Sequence, residues 1–196
     1  MLPDFQFYAI AIPAVLLVGF SKCGMGEALS LMGVPLLSLA VSPVQAAALL
    51  LPILIAMDLV ALWTWRKHGD MTTLKILLPG ALIGIVIGWA TAAYVPRDAL
   101  RLIIGAITVL FVLRYVYNLW RARQGIITPA KPQRPVQATF FGGLAGYGSF
   151  VAHAGGPPFQ IYTLPLKLPP REYTGTIVKF FAILNAVKLI PYFALG

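Results

Sequence analysis

Four apolar runs in this chain are long enough to cross a lipid bilayer as α-helices. They cover residues 44–65, 76–95, 101–120 and 173–195, and a spanning helix needs about 20 mostly apolar residues. The whole chain is 59% hydrophobic and only 11% charged, whereas soluble proteins average about 25% charged residues. These runs predict an all-α, multi-pass membrane protein, and they exclude a soluble enzyme or an ordinary DNA-binding domain.

Shorter apolar stretches are broken by glycine and proline, and they lie at residues 5–20, 28–40, 137–151 and 157–168. Interruptions at Ser21–Glu27 and His153–Pro158 separate the members of each pair, and helices do not run through such junctions unperturbed. We expect either re-entrant hairpins or thin crossings there. In the run 76–95, Gly80, Gly84 and Gly88 recur every four residues, which predicts close packing against a neighbouring helix.

Basic residues are concentrated in short loops, although the formal net charge of +9 would suggest nucleic acid as a partner in a soluble protein. In a membrane protein, loops rich in Lys and Arg stay on the cytoplasmic side. We therefore assign Arg66–Lys75, Arg121–Arg134 and Lys167–Arg171 to the cytoplasm, and the turns at Val41–Pro43 and Pro96–Arg101 to the opposite side. The lipid bilayer is therefore the expected partner of these basic residues, and no nucleic acid is predicted.

The two broken regions resemble each other. The matched positions are Gly33–Pro35 with Gly156–Pro158, Pro43 with Pro170, and Asp58 with Asn185. The identities are few, so chance similarity is the alternative, but the order short, broken, short and then long helix occurs twice. Because the chain crosses an odd number of times between the two starts, we expect the repeats to be inverted.

This repeat predicts three parts: a first transmembrane repeat at 1–124, a cytoplasmic linker at 125–136 and a second transmembrane repeat at 137–196. The second repeat is expected to be incomplete, since two helices that follow in the first copy have no counterpart in the second. Either the sequence is partial, or an oligomeric partner completes the fold. A homo-oligomer is thus one of the open alternatives.

Broken helices inside a membrane offer unpaired backbone N–H groups to a solute, and helix N-termini favour anions. We therefore expect a small anionic solute. The candidate substrate-binding residues are Lys22, Gly24, Gly26, Pro35, Gly155, Gly156, Pro157, Pro158, Lys179 and Asn185. For Lys179, as for Lys188, snorkelling to the interface is the favoured alternative, and for Asn185 it is a hydrogen bond between helices.

Two titratable residues are candidates for proton coupling. Asp58 lies deep in an apolar run, where charge is costly, and it could instead pack simply or form a salt bridge with Lys22 or Lys188. His153 stands before the second break and can titrate near neutral pH. One cysteine and two histidines predict no metal site or disulfide. We find no catalytic triad or nucleotide-binding motif, so neither an enzyme nor a cofactor is expected.

Two segments resemble the signatures of the sulfite exporter TauE/SafE family of bacterial membrane proteins. The first is Gly19–Gly26 followed by Gly33–Leu36, and the second is Gly146–Pro158. The resemblance implies export of sulfite, sulfoacetate or a related small anion. The sequence departs from the family pattern at Lys22 and Glu27, in a region that is usually richer in glycine.

Two hypotheses for function follow. The first is a secondary transporter in the bacterial inner membrane that exports a small anion, sulfite or an organosulfonate, by alternating access. The second is a membrane-embedded accessory or assembly subunit that binds a partner through its glycine faces and transports nothing itself.

Overall fold

The computed structural model describes residues 5–20, 32–41, 43–91 and 129–195, with scattered positions between 102 and 124. The described helices are α1 (Phe5–Phe20), α2 (Gly33–Leu37), α3 (Pro43–Thr64), α4 (Met71–Thr91), α5 (Pro135–Ala152), α6 (Gly156–Thr163) and α7 (Pro170–Leu195). A 3₁₀ turn at Leu164–Leu166 follows α6. No β-strand occurs in these ranges, which confirms the all-α prediction. In the run predicted at 101–120, 11 of the 20 residues are described and all 11 are helical; the other positions lie outside the described residues.

Among the described residues, two helices are both long and apolar enough to cross a membrane, Met71–Thr91 and Pro170–Pro191. Phe5–Phe20 and Ala48–Thr64 are shorter apolar helices. Large apolar side chains face outward on several helices, and they include Leu59, Trp63, Ile83, Val86 and Ile190. A surface of this kind is stable against lipid and would be an aggregation hazard in water.

Helix α4 begins at Met71, so the prediction that it begins at residue 76, with Lys75 in the loop, is wrong. The reason is the side chain of Asp70, which accepts the backbone N–H of Thr72 and of Thr73, each over 3.2 Å. An aspartate that satisfies the first free N–H groups of a helix acts as its N-cap. Lys75 therefore lies in the helix, with its side chain exposed.

The glycine-proline motifs lie at the starts of helices, and the break predicted at His153–Pro158 is confirmed, because the helix before it ends at Ala152. Helix α2 begins at Gly33 and α6 begins at Gly156. Proline is tolerated in the first turn because the N–H that it lacks would have no partner within the helix. The other matched pair behaves in the same way, since α3 begins at Pro43 and α7 at Pro170. Matched residues thus occupy the same places in corresponding helices.

Helices α5 and α6 form a hairpin that starts and ends at one end of the bundle. The backbone N–H of Lys131 donates to Pro165 O over 2.9 Å, and that of Arg134 donates to Tyr162 Oη over 3.2 Å. Helix α6 has eight residues and is about 12 Å long, far short of a hydrocarbon core of about 30 Å. Of the two alternatives, this geometry favours the re-entrant hairpin, which stays a prediction.

Three segments meet at this end, which we call the loop end: residues 66–70, 129–134 and 164–172. Gly69 N–H donates to Glu172 Oε2 over 2.7 Å, and Gln133 Nε2 donates to Asp70 Oδ2 over 2.8 Å. Exposed cations gather there, namely Arg66, Lys67, Lys75, Lys131, Arg134, Lys167 and Arg171. The predicted cytoplasmic loops therefore share one end, and the assignment of that end to the cytoplasm stays a prediction.

The glycine strip of α4 packs against α5, which confirms the predicted close approach. A Cβ on Gly80 would lie 1.9 Å from Thr139 O, and one on Gly84 would lie 2.1 Å from Gly143 O. On the facing helix, a Cβ on Gly146 would lie 2.0 Å from Ala81 O. No side chain fits at such distances, so the two backbones are in contact over several turns.

The buried apolar residues form two clusters. One joins α1, α2 and α3 around Val18 and Leu50, and the other joins α4 to α7 around Leu77, Phe159 and Phe180. Helices α3 and α7 are in contact and connect the two clusters. Three buried polar residues lie on these two helices, namely Asp58, Asn185 and Lys188.

Candidate functional site

Lys188 on α7 is fully buried, with 0% of its surface exposed. Its Nζ donates to Ser149 O, to Ser149 Oγ and to His153 Nδ1, each over 3.0 Å. The snorkelling explanation of Lys188 is therefore wrong, because its ammonium group points to α5 and not to an interface. A charge inside a membrane protein is costly unless its donors are satisfied, and these three contacts satisfy them.

His153 lies at the C-terminal end of α5 in the left-handed backbone region, with φ of 51°. Its backbone N–H donates to Ser149 O over 3.2 Å, which closes the last turn as in other helices that end on a left-handed residue. The Lys188 ammonium can donate to Nδ1, 3.0 Å away, only when that nitrogen carries no proton, as in the neutral imidazole protonated on Nε2. Protonation of Nδ1 would break the contact.

The free C-terminal carbonyls of α5 explain why a lysine is bound here. Ser149 O accepts both from the backbone of His153 and from Lys188. Cations near the C-terminal end of a helix are stabilised by its dipole and by its unpaired carbonyl groups. Lys188 therefore caps α5 from the neighbouring helix.

Asp58 and Asn185, matched by the sequence repeat, are in direct contact. Asn185 Nδ2 donates to Asp58 Oδ2 over 2.5 Å, and each residue is 3% exposed. Residues related by a two-fold pseudo-axis meet only near that axis, so this contact supports the predicted equivalence. Asn185 precedes Lys188 by three residues and shares its helix face, so the two polar contacts form one buried region.

The break between α5 and α6 packs tightly against this region. A Cβ on Gly155 would lie 2.5 Å from Ala145 O and 3.0 Å from Ser149 Cβ, so only glycine fits. Gly155, Gly156, Pro157 and Pro158 are all buried. The two prolines carry no N–H group, so at the start of α6 only the glycine amides can donate hydrogen bonds.

Of the predicted site residues that the structure describes, Pro35 and Lys179 are not brought to this region. Lys22, Gly24 and Gly26 lie outside the described residues. Pro35 is exposed on α2. Lys179 is at the loop end, where its Nζ donates to Arg66 O over 3.3 Å; it precedes Lys188 by nine residues, or about 13 Å of helix.

Ser149 is central to the geometry and was not predicted. It precedes His153 by four residues, so the two lie on one face of α5. Because His153 is a predicted site residue, this spacing is a signal by which Ser149 could have been found. A single serine in an apolar helix is common, however, and the sequence does not show that Lys188 lies across from it.

A second polar network lies at the loop end, around Asp70 and Glu172. Glu172 Oε1 faces His68 Nδ1 at 3.2 Å, and Asp70 N–H donates to Thr176 Oγ1 over 2.8 Å. Partial burial raises the pKa of Asp70, but hydrogen bonds from Thr73, Thr72 and Gln133 outweigh it and hold that pKa below its ordinary value. Among the described residues, no group of three His, Cys, Asp or Glu could hold a metal ion.

The comparisons with known proteins give one match. The family described as "Sulfite exporter TauE/SafE" matches residues 11–196, nearly the whole chain. No curated protein and no solved structure matches the chain. The family match supports a transporter over an enzyme, and it gives no support to the accessory-subunit alternative.

Proposed function

The chain belongs to the sulfite exporter TauE/SafE family of membrane anion exporters, and on that premise we propose that it exports sulfite or an organosulfonate across the bacterial inner membrane. The observation that carries this proposal is the buried ammonium group of Lys188 beside the break between α5 and α6. A cation next to the glycine amides at the start of α6 offers an anion both charge and hydrogen bonds.

We assign the solute-binding role to Lys188, Gly155, Gly156 and Asn185, with Pro157 and Pro158 as residues that shape the backbone. Lys188 was not among the predicted binding residues and replaces Lys179, because Lys179 is bound at the loop end. In the described arrangement the protein itself supplies acceptors to Lys188. An entering anion would take the place of one of them, and His153 is the partner that can leave without unwinding α5.

Alternating access is the proposed mechanism. The two apolar clusters, α1 to α3 and α4 to α7, touch through α3 and α7. In this proposal one cluster rocks against the other, as in other transporters built from repeats. The Asp58 to Asn185 contact lies where the motion would be smallest, near the proposed pseudo-axis between the repeats at 1–124 and 137–196.

Asp58 and His153 are the proposed proton-coupling residues. Both can change charge, and each is bonded to a polar side chain of α7, Asn185 for one and Lys188 for the other. A proton on His153 Nδ1 would release Lys188 and leave a second positive charge beside it. Binding of an anion would then be favoured, so proton and anion would travel together.

The test is uptake of labelled sulfite and of a labelled organosulfonate into inverted membrane vesicles. We expect Lys188→Met to abolish uptake while the purified protein keeps its helical content. Lys75→Met is the matched control, since Lys75 is exposed at the loop end, and it should keep wild-type uptake. Wild-type uptake by Lys188→Met would overturn the site, and no uptake of either anion by the wild-type protein would overturn the function.

A further inference from the structure

The hydroxyl group of Ser149 lies against the Lys188 ammonium in the buried region. We propose that this hydroxyl donates a hydrogen bond to the exported anion and thereby selects oxyanions over simple halides. The proposal rests on the proposed function and adds a specificity-determining residue to it. Ser149 is 2% exposed, and its carbonyl and hydroxyl oxygens are each 3.0 Å from Lys188 Nζ.

The hydrogen-bonding capacity of the hydroxyl is only partly used. A serine hydroxyl has one hydrogen to donate and two lone pairs that accept. Lys188 donates to Ser149 Oγ, so the hydroxyl hydrogen points elsewhere. Within the described part of the chain this hydrogen has no acceptor. A buried donor without an acceptor is costly, and an anion oxygen at this place would satisfy it.

The break between α5 and α6 places further backbone donors beside Ser149. Gly155 packs directly on Ser149, since a Cβ added to Gly155 would lie 3.0 Å from Ser149 Cβ. The N–H groups of Gly155 and Gly156 have no acceptor among the residues that the structure describes. Lys188 Nζ and Ser149 Oγ, 3.0 Å apart, are spaced to reach two neighbouring oxygens of one small oxyanion.

This arrangement favours sulfite, a sulfonate or another oxyanion over chloride. A halide has a single centre and interacts with the site mainly through its charge, which Lys188 supplies. An oxyanion presents several oxygens, so it gains from each separately placed donor. Removal of one neutral donor should therefore weaken oxyanion binding more than halide binding.

Selectivity in inverted vesicles tests the proposal. The measured quantity is the ratio of sulfite uptake to chloride uptake at low concentrations, for the wild type, Ser149→Cys and Ser149→Ala. We expect this ratio to fall about tenfold to hundredfold in Ser149→Ala, the range for one hydrogen bond to a charged group. Ser149→Cys keeps the size and a weak donor and should be intermediate. Both variants keep the Ser149 backbone carbonyl that binds Lys188.

Thr163→Val is the control, because Thr163 also has a buried hydroxyl but donates it to Phe159 O within α6. Its selectivity should equal that of the wild type. An unchanged ratio in Ser149→Ala, with sulfite still transported, would overturn the role of Ser149 and leave the proposed function standing. If the wild type transports neither sulfite nor a sulfonate, the proposed function itself is overturned. Thermal unfolding of each variant in detergent separates loss of selectivity from loss of fold.

Discussion

Helix α7 carries two polar regions that differ in what their side chains bind. At the loop end three polar side chains bond to backbone groups of residues 66–70, namely Glu172, Thr176 and Lys179. Glu172 also faces the imidazole of His68. Deeper in the bundle, Asn185 and Lys188 bond to groups of α3 and α5, two of which can titrate. The first region ties a loop to a helix, whereas the second brings ionisable groups of three helices together.

The difference teaches that a charged residue in a membrane helix is judged by its partners. Lys179 and Lys188 look equivalent in the sequence, since both interrupt one apolar run. Lys179 binds a fixed backbone carbonyl, which cannot change its protonation state. Lys188 binds an imidazole that can, so the Lys188 contact can respond to a proton or exchange its partner for a solute, whereas the Lys179 contact cannot.

The largest expected effect comes from a substitution that disrupts the loop-end region. In Gly175→Ala the new Cβ would lie 2.3 Å from His68 O and 2.4 Å from His68 C, and backbone atoms cannot give way at such distances. We expect loss of folded protein, measured as the yield of monodisperse protein in detergent. Gly143→Ala is the control, because its Cβ would meet Gly80 O at an ordinary 3.5 Å. Normal yield from Gly175→Ala would show that residues 66–70 do not pack on α7 in this way.

The next prediction compares the two lysines of α7 directly. Lys188→Met should lower sulfite uptake at least a hundredfold, since binding of an oxyanion loses a charge-assisted hydrogen bond and the charge itself. Lys179→Met should keep uptake within about twofold, because it loses one exposed contact to a backbone carbonyl. Initial rates at equal protein density in vesicles give both values. If the two variants lose uptake equally, the proposed division of α7 into two regions is wrong.

Substitution of Asp58 should have a smaller effect on stability. Asp58→Leu would leave the Asn185 amide without its carboxylate acceptor, and a buried unsatisfied group costs about 1–3 kcal/mol. Asp58→Asn keeps an acceptor and should unfold close to the wild-type temperature, while losing the charge change needed for proton coupling. Thermal unfolding in detergent and proton uptake during sulfite transport measure the two effects. An Asp58→Asn protein that still takes up protons with sulfite would remove Asp58 from the coupling mechanism.

The smallest effect concerns the pH dependence of the loop end. The pKa of Asp70 is lowered in the folded protein, so this carboxylate stabilises the fold above its unfolded pKa. That contribution is lost as pH falls through the folded pKa, which lies below 3.8. Thermal unfolding of the wild type should therefore show a modest loss of stability below that pH, and Asp70→Asn should lack this part of the dependence. An equal acid loss in both proteins would contradict the assignment.

Local chemistry explains which features the sequence could predict. The apolar runs predict that α3 and α7 begin at residues 44 and 173, within three residues of Pro43 and Pro170, where they do begin. The repeat also pairs Asp58 with Asn185, which are in contact. The sequence also contains a signal for the start of α4, because Asp70 is a favourable N-cap residue, but the predicted start at residue 76 did not use it. The pairing of Lys188 with Ser149 could not be predicted from the sequence, because it depends on how α7 docks on α5. The sequence of a long apolar helix only weakly constrains the rotation of that helix about its own axis.

The α5–α6 hairpin has a consequence for the order in which the protein is assembled during synthesis. Helix α6 is too short to be inserted across a bilayer by itself, and its Phe159 packs on Phe180 of α7, with ring centroids 4.8 Å apart. The carbonyl of Ser149 likewise depends on α7, because it accepts a hydrogen bond from Lys188. Both partners are translated after the hairpin, so the hairpin is the element most dependent on a later helix, and completion of α7 is the step that fixes it in place.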